Sequence, residues 1–280
     1  RFTKTTGPRS IYCGSRSREA TAIGAAPVLW LTSEAGVQMD ASRRVIWWQD
    51  LSGRGGHVTQ LIEAFRPEVF DNIFNGFPGI WFDGLDDFLS ATGFVAADDF
   101  TIFVVAGPSG SLTFPPERTT GTAGRTGQCY VLASDNPAGS DAGACLSLGA
   151  NGVSVFDYGT AYPGGYMPAL AVHFLPDGVS TTCPLTIRYV NRTPSIYLCG
   201  ALLHTGLTSP KDHVFAPNRV GGGDYGPYSG YIAEIFLYDR ALSDPDRQAV
   251  EGYLQAKYNC LQAISWCGLG EKISRPASRH

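Results

Sequence analysis

The sequence predicts an all-β protein: an antiparallel sandwich or barrel, with one helix near its C-terminal end. Twelve short runs rich in Val, Ile, Phe, Tyr and Trp follow one another, each bounded by Gly, Pro, Asp or Asn. The 280 residues include 34 Gly and 18 Pro, and only 16% are charged. That composition suits many strands joined by tight turns and excludes a coiled coil or a disordered chain. Long helical patterns do not alternate with the runs, which argues against a doubly wound parallel sheet. A chain of this length can bury one large β core.

The strands are expected in this order. "PVLWLT" (27–32), "RVIWWQD" (44–50) and "HVTQLIE" (57–63) open the series, followed by "FPGIWFDG" (77–84), "FTIFVVAGP" (100–108) and "QCYVLAS" (128–134). The stretch 107–127, rich in Pro, Gly, Ser and Thr, reads as a long loop. "ACLSLGA" (144–150), "GVSVFDYG" (152–159), "LAVHFLPDG" (170–178), "LTIRYVN" (185–191), "SIYLCG" (195–200) and "YIAEIFLYD" (231–239) complete the set. The helix follows at once. Ser243 is a good N-cap with Asp246 three residues on, Asp244 and Asp246 suit the positive end of the helix dipole, and Pro245 is tolerated in the first turn. Val250, Tyr253, Leu254, Lys257 and Tyr258 recur at helical spacing, so one face packs.

Charge and cysteine usage narrow the function classes. Net charge is −4, but residues 1–24 carry Arg1, Lys4, Arg9, Arg16 and Arg18 against Glu19. The remainder is therefore −8, too acidic for a nucleic-acid binder. Residues 1–24 read as a basic arm, 25–259 as the sandwich and 260–280 as a tail. No run of apolar residues is long enough for a membrane span. Six of the seven cysteines form neighbouring couples: Cys129 with Cys145, Cys183 with Cys199, and Cys260 with Cys267, leaving Cys13 over. With no C-x-x-C pair, they read as disulfide candidates in an oxidising, extracytoplasmic compartment. The alternative is a set of buried reduced thiols. Asn191 begins an N-x-T sequon, a glycosylation candidate in a glycosylating host.

Three blocks resemble the laminin G-like jelly-roll domains of the concanavalin A-like lectin/glucanase superfamily. They are "VIWWQDLSGRGGH" (45–57), "FPGIWFDGLDDFLSATGFVAADDFTIFVV" (77–105) and "GGGDYGPYSGYIAEIFLYDRALSDPDRQAVEGYLQAKY" (221–258). The resemblance runs from about Pro27 to Tyr258 in matching order. It implies a two-sheet antiparallel jelly-roll sandwich, a fold shared by lectins, adhesion modules, glucanases and polysaccharide lyases. Fold alone therefore does not give the function.

Glucanases of the superfamily carry Glu-x-Asp-x-Glu on one strand, which places three acids on one sheet face. This sequence has no such run. Glu234 and Asp239 are five apart, so a regular strand points them to opposite faces, and no catalytic residue is assigned. Glu234 is expected to bond a neighbouring loop and Asp239 to end its strand. Asp83, Asp86 and Asp87 form the densest carboxylate cluster, and with Asp50 they are the candidate oxygen ligands for calcium, the one candidate cofactor. The competing reading is a pair of hydrogen-bonded turns. The Gly221, Gly223, Gly226 spacing matches a dinucleotide fingerprint by chance, since a strand and not a helix follows. The histidines show no metal-ligand spacing, and no G-x-S-x-G elbow is present.

Four aromatics are candidates for stacking on a sugar ring: Trp47, Trp48, Tyr225 and Tyr228. Adjacent Trp47 and Trp48 must point to opposite strand faces, so one is core. The expected function is a non-catalytic, extracellular or cell- or virion-surface module that binds glycans or another surface ligand. The alternatives are a subunit of a larger assembly, held to other chains through the arm and the tail, and a polysaccharide hydrolase or lyase.

Overall fold

The structure is a computed structural model that describes residues 26–93, 96–109, 129–135, 137, 139–159, 169–175, 182–222 and 226–260. The basic arm, Cys13, Tyr225, Cys267 and the tail after Cys260 lie outside the described residues. The described chain forms two sheets and one α-helix.

The eight-stranded sheet runs β15 (Ala201–Thr205), β14 (Thr193–Leu198), β13 (Leu185–Val190), β8 (Phe100–Pro108), β18 (Ser229–Tyr238), β6 (Phe77–Asp83), β5 (Glu68–Phe74). β1 (Leu29–Thr32) pairs with the second half of β18, end to end with β6. The ten-stranded sheet runs β12 (Ala169–Phe174), β11 (Gly152–Tyr158), β10 (Ala142–Gly149), β9 (Tyr130–Ala133), β17 (Arg219–Val220), β7 (Leu89–Ser90), β4 (Val58–Thr59), β3 (Val45–Trp48), β2 (Val37–Met39). β16 (Val214–Phe215) adds a two-residue parallel pairing to β10, and the other strand pairings are antiparallel.

The period-2 alternation does the sorting. Val69, Ile80, Phe82, Ile102, Val104, Ile187, Ile235 and Leu237 point inward from one sheet, and Val45, Trp48, Val58, Leu89, Leu132, Leu146 and Val155 from the other. These side chains form one buried cluster, each large one contributing about 1.5–3 kcal/mol. β8 and β18 are the exceptions that prove informative: both faces are buried along almost their whole length. Their outer face packs a second cluster, in which Trp30, Phe74, Phe103, Val105, Phe236 and Tyr238 meet Val250, Leu254 and Tyr258.

The last three come from α1 (Asp244–Lys257) and its C-cap. Ser243 caps the helix as expected, its Oγ accepting from the Asp246 N–H at 3.3 Å. Arg247 and Glu251 are both buried and pair across one turn at 2.5 Å, and Thr186 Oγ1 donates to Glu251 at 2.8 Å. Among the described residues no helix is long and apolar enough to cross a membrane.

The expected strand at 57–63 shrinks to Val58–Thr59. The Gln60 side chain accepts from the Ile62 N–H, a local bond that competes with the ladder, and Glu63–Phe65 turns into a short 3-10 helix. Six strands had no expectation behind them: β2, β5, β7, β15, β16 and β17. Four of these have two or three residues, too few to show a period.

Candidate functional site

Glu234 sits at the centre of a buried network. It is 1% exposed, and its carboxylate accepts from Trp30 Nε1 (2.7 Å), Lys257 Nζ (2.6 Å) and Tyr258 Oη (2.7 Å). A β-bulge at Ala233 turns Glu234 toward the helix side, because Ile232 pairs with Ala106 while Glu234 pairs with Val105. Its partners are therefore a strand and the helix, not the neighbouring loop expected from the sequence. Lys257 also bonds Glu34 at 2.8 Å. Burial, the largest single influence, pulls its pKa down, but Glu234, Tyr253 and Glu34 together outweigh it and hold the ammonium charged above its ordinary range. Burial and the facing carboxylate both push the Tyr258 hydroxyl far up, so it stays a donor. Asp239 follows the end of β18 and pairs with Arg240 at 3.2 Å on the surface. The two acids do not share a face.

The calcium candidates separate into two turns. Asp50 is buried, and its carboxylate is spent on three backbone N–H groups and one hydroxyl: Oδ1 accepts from Trp30 N–H (2.9 Å) and Ser52 N–H (2.8 Å), Oδ2 from Gly56 N–H (2.9 Å) and Ser52 Oγ (2.8 Å). Four accepted bonds organise the Ser52–Gly56 turn and leave Asp50 apart from the other acids. Asp83, Asp86 and Asp87 do come together, each offering a carboxylate oxygen within 4.8 Å of the others, an arrangement that could hold a hard cation. Two of the three carboxylates also serve the turn: Asp87 Oδ2 accepts from Asp83 N–H (3.0 Å), and Asp83 Oδ1 accepts from Leu85 N–H (2.8 Å). Burial and the nearby Asp83 charge push the Asp87 carboxyl up to about 6.

The stacking candidates also divide. Trp48 is fully buried and donates from Nε1 to the Thr32 carbonyl at 2.8 Å. Tyr228 is fully buried against Phe82. Neither can meet a ligand, because both rings are needed to fill the core between the sheets. Tyr225 lies outside the described residues. Of the three described candidates Trp47 alone reaches the surface, half-buried on the outer face of the ten-stranded sheet.

Register shows what surrounds it. Gln38 pairs with Trp47, Trp47 with Thr59, Thr59 with Ser90, Ser90 with Arg219, and Arg219 with Ala133. Directly paired residues share a face, so these side chains form one row straight across the sheet. Their chain neighbours Val37, Trp48, Val58, Leu89, Val220 and Leu132 all face the core, which fixes the row on the outside. From Trp47 to Arg219 the row crosses three strand spacings, about 14 Å. His57 lies beside Trp47, ring centroids 4.5 Å apart, and accepts from the Asp50 N–H at Nδ1 (2.9 Å). A neutral imidazole that accepts at Nδ1 carries its proton on Nε2 and donates there. At the other end the Arg219 guanidinium lies 5.4 Å above the Phe88 ring and pairs with Asp135 at 2.6 Å, while Asn218 holds the second Asp135 oxygen at 2.8 Å.

The row therefore offers an aromatic plate at one end, a clamped guanidinium at the other, and two hydroxyls between. Sequence reading found Trp47 alone. His57, Thr59, Ser90 and Arg219 lie in segments distant in the chain, and only the pairing register aligns them. The small cavity between the sheets, about 40 Å³ and lined by Leu29, Val58, Ile102, Leu132 and Leu237, has room for a water or two and not for a sugar ring.

The cysteine couples fare unequally. Cys183 and Cys199 are disulfide-bonded, with Cα atoms 5.2 Å apart. Cys129 and Cys145 are not bonded to each other. Cys129 packs in the core cluster with Val131, whereas Cys145 packs with Tyr130 and Phe156 on the opposite face of the sheet. Burial pushes their thiols up to about 11 and about 12. Cys260 is buried beside Cys183, and Cys267 lies outside the described residues. Asn191 is exposed at the β13–β14 turn.

Solved structures share this architecture. Domain 4 of AbnA, a GH43 extracellular arabinanase from Geobacillus stearothermophilus solved with arabinotriose, aligns at a TM-score of 0.52 and 15% identity, over 80% of this chain and 98% of that one. The binding domain of Paraclostridial Mosquitocidal Protein 1 aligns at 0.51 and 10%, over 85% of this chain and 53% of that one. An arabinofuranosidase complexed with arabinofuranosyl-alpha-1,2-xylobiose aligns at 0.52 and 12%, over 86% and 64%. The chain thus spans about half of the second and under two thirds of the third. No protein-family model matches the chain, and no curated protein matches it in sequence. At these identities the likeness establishes the β-sandwich fold and nothing finer.

Proposed function

We propose that the chain is a non-catalytic glycan-binding module, laminin G-like in type, and that the outer face of the ten-stranded sheet is its binding face. The observation that carries this reading is the register-aligned row Trp47–Thr59–Ser90–Arg219 with His57 and Phe88 beside it. A pyranose or furanose ring has a C–H face that packs on an aromatic plate and a rim of hydroxyls that needs donors and acceptors. The row supplies both, over a length that suits a short oligosaccharide laid across the strands. Glu234 argues against hydrolysis at the sequence signature, since its three partners stabilise the carboxylate and seal it from substrate. A secreted or surface-displayed setting is consistent with the Cys183–Cys199 bond.

The test is a glycan array probed with the wild-type chain and with Trp47→Ala, extended to arabino- and xylo-oligosaccharides as soluble probes. Binding by the wild type that Trp47→Ala abolishes supports the reading. An empty wild-type array sinks glycan binding, and binding that survives Trp47→Ala moves it off this face. Release of reducing sugar from any bound polysaccharide would refute the non-catalytic part.

A further inference from the structure

We infer that Cys183 is shared between two mutually exclusive disulfides, and that Cys260 is a resident thiol that exchanges with the Cys183–Cys199 bond. Cys183 stands just before β13, Cys199 in the turn after β14, and Cys260 two residues beyond the C-cap Tyr258 of α1. One sulfur from each lies within 4.8 Å of the other two, and Cys199 and Cys260 Sγ are 3.9 Å apart. The Cα atom of Cys183 is 5.2 Å from that of Cys199 and 5.5 Å from that of Cys260. Both separations fall inside the Cα–Cα range of disulfides. A sulfur forms one such bond, so whichever is made leaves the third cysteine as a thiol in contact with it.

The exchange balances without an oxidant. The Cys260 thiolate attacks Cys183 Sγ, the Cys183–Cys199 bond breaks, and Cys199 leaves as a thiolate that takes up the proton Cys260 gave up. Oxidation state is unchanged, and only the partner of Cys183 moves. Cys183 and Cys260 are 2% and 1% exposed, so the sulfurs meet each other more readily than a thiol from solution. The two isomers differ in what they fasten. The Cys183–Cys199 bond spans 16 residues and closes the β13–β14 hairpin on itself. The Cys183–Cys260 bond spans 77 residues and ties the end of α1 to the sheet it covers. Exchange therefore decides whether the helix over Glu234 is held by packing alone or by a covalent strap. The simple couple Cys260–Cys267 expected from sequence spacing is the competing arrangement.

The experiment is non-reducing peptide mapping by mass spectrometry on the full oxidised chain, acid-quenched and alkylated after incubation between pH 6 and 9. Both the 183–199 and the 183–260 linkages should appear, and interconvert faster as pH rises. Cys199→Ser should give 183–260 alone, Cys260→Ser 183–199 alone, and Cys267→Ser should retain both. The inference is overturned if wild type gives only 183–199 at every pH, with Cys260 either linked to Cys267 or alkylated. It is overturned equally if Cys199→Ser leaves Cys183 and Cys260 both alkylated. Should Cys199→Ser fail to fold, the wild-type and Cys267→Ser maps decide on their own.

Discussion

The outer face of the eight-stranded sheet and the Trp47–Arg219 region of the ten-stranded sheet's outer face are built on the same alternation and put to opposite uses. On the first, helix α1 lies over Phe103, Phe236 and Tyr238, and the charged groups beneath it are partnered inward: Glu234 to Trp30, Lys257 and Tyr258, Glu251 to Arg247 and Thr186. On the second, polar and aromatic groups of comparable kind stand in a row that no described helix covers. Polar side chains with their bonds satisfied internally stabilise or specify a fold, whereas those held at a surface in fixed geometry are available to a ligand. The carboxylate of Glu234, the most suggestive acid in the sequence, belongs to the first kind. The indole of Trp47 belongs to the second.

The sharpest way to break this contrast is to remove Glu234. Glu234→Ala strands a buried ammonium and a buried phenol, and loss of one member of a buried charged network costs about 3–5 kcal/mol. The denaturation midpoint should fall accordingly, with glycan binding intact in whatever fraction remains folded. Unchanged stability would mean that Lys257 finds Glu34 sufficient, since that contact is already 2.8 Å. Trp47→Ala should do the reverse. Its half-exposed ring contributes little to folding, so stability should change by about 1 kcal/mol or less. Affinity for the glycan identified on the array should drop roughly tenfold or more, ~1.4 kcal/mol, measured by calorimetry. Equal effects of both variants on both quantities would erase the distinction between the faces.

A smaller effect is expected at the far end of the row. Arg219→Lys keeps the charge beside Asp135 but loses the planar guanidinium that lies over Phe88. Affinity should fall by a few-fold at most, with a stronger salt dependence than the Trp47 variant shows. A lysine variant that binds like wild type would show that charge alone matters there.

How far the sequence revealed these regions depends on the range of the signals. The sandwich, the capped helix and the opposite orientation of Glu234 and Asp239 were legible because each rests on local periodicity or a cap within a few residues. The bulge at Ala233 was not, yet it leaves the Glu234–Asp239 parity alone because it precedes both. Trp47 against Trp48 reduced to an alternation, and the core took Trp48. Thr59, Ser90 and Arg219 come from strands of two residues each, which carry no period at all. Their alignment is a property of pairing, written in no single stretch. Cys129 and Cys145 failed as a couple for a related reason: they are neighbours in sequence, but a bulge between Leu146 and Ser147 shifts the β9–β10 register and the two thiols face opposite ways.

The smallest effect tests the turn where the chain crosses from β6 to β7, from one sheet to the other. Burial and the Asp83 charge raise the Asp87 carboxyl to about 6, above its unfolded value near 3.9. The folded state thus binds this proton more tightly than the unfolded one. Its contribution is fully present below about pH 3.9 and is lost as pH rises through about 6. Asp87→Asn keeps an oxygen for the Asp83 N–H and removes the charge, so it should abolish this pH dependence. In chelator-containing buffer the variant should match wild type at pH 4 and melt higher at pH 7, by roughly 2 °C or less. A melting difference that stays flat from pH 4 to pH 7 would show that Asp87 is solvated in the folded chain. The crossing between the faces would then be held by its backbone bonds alone.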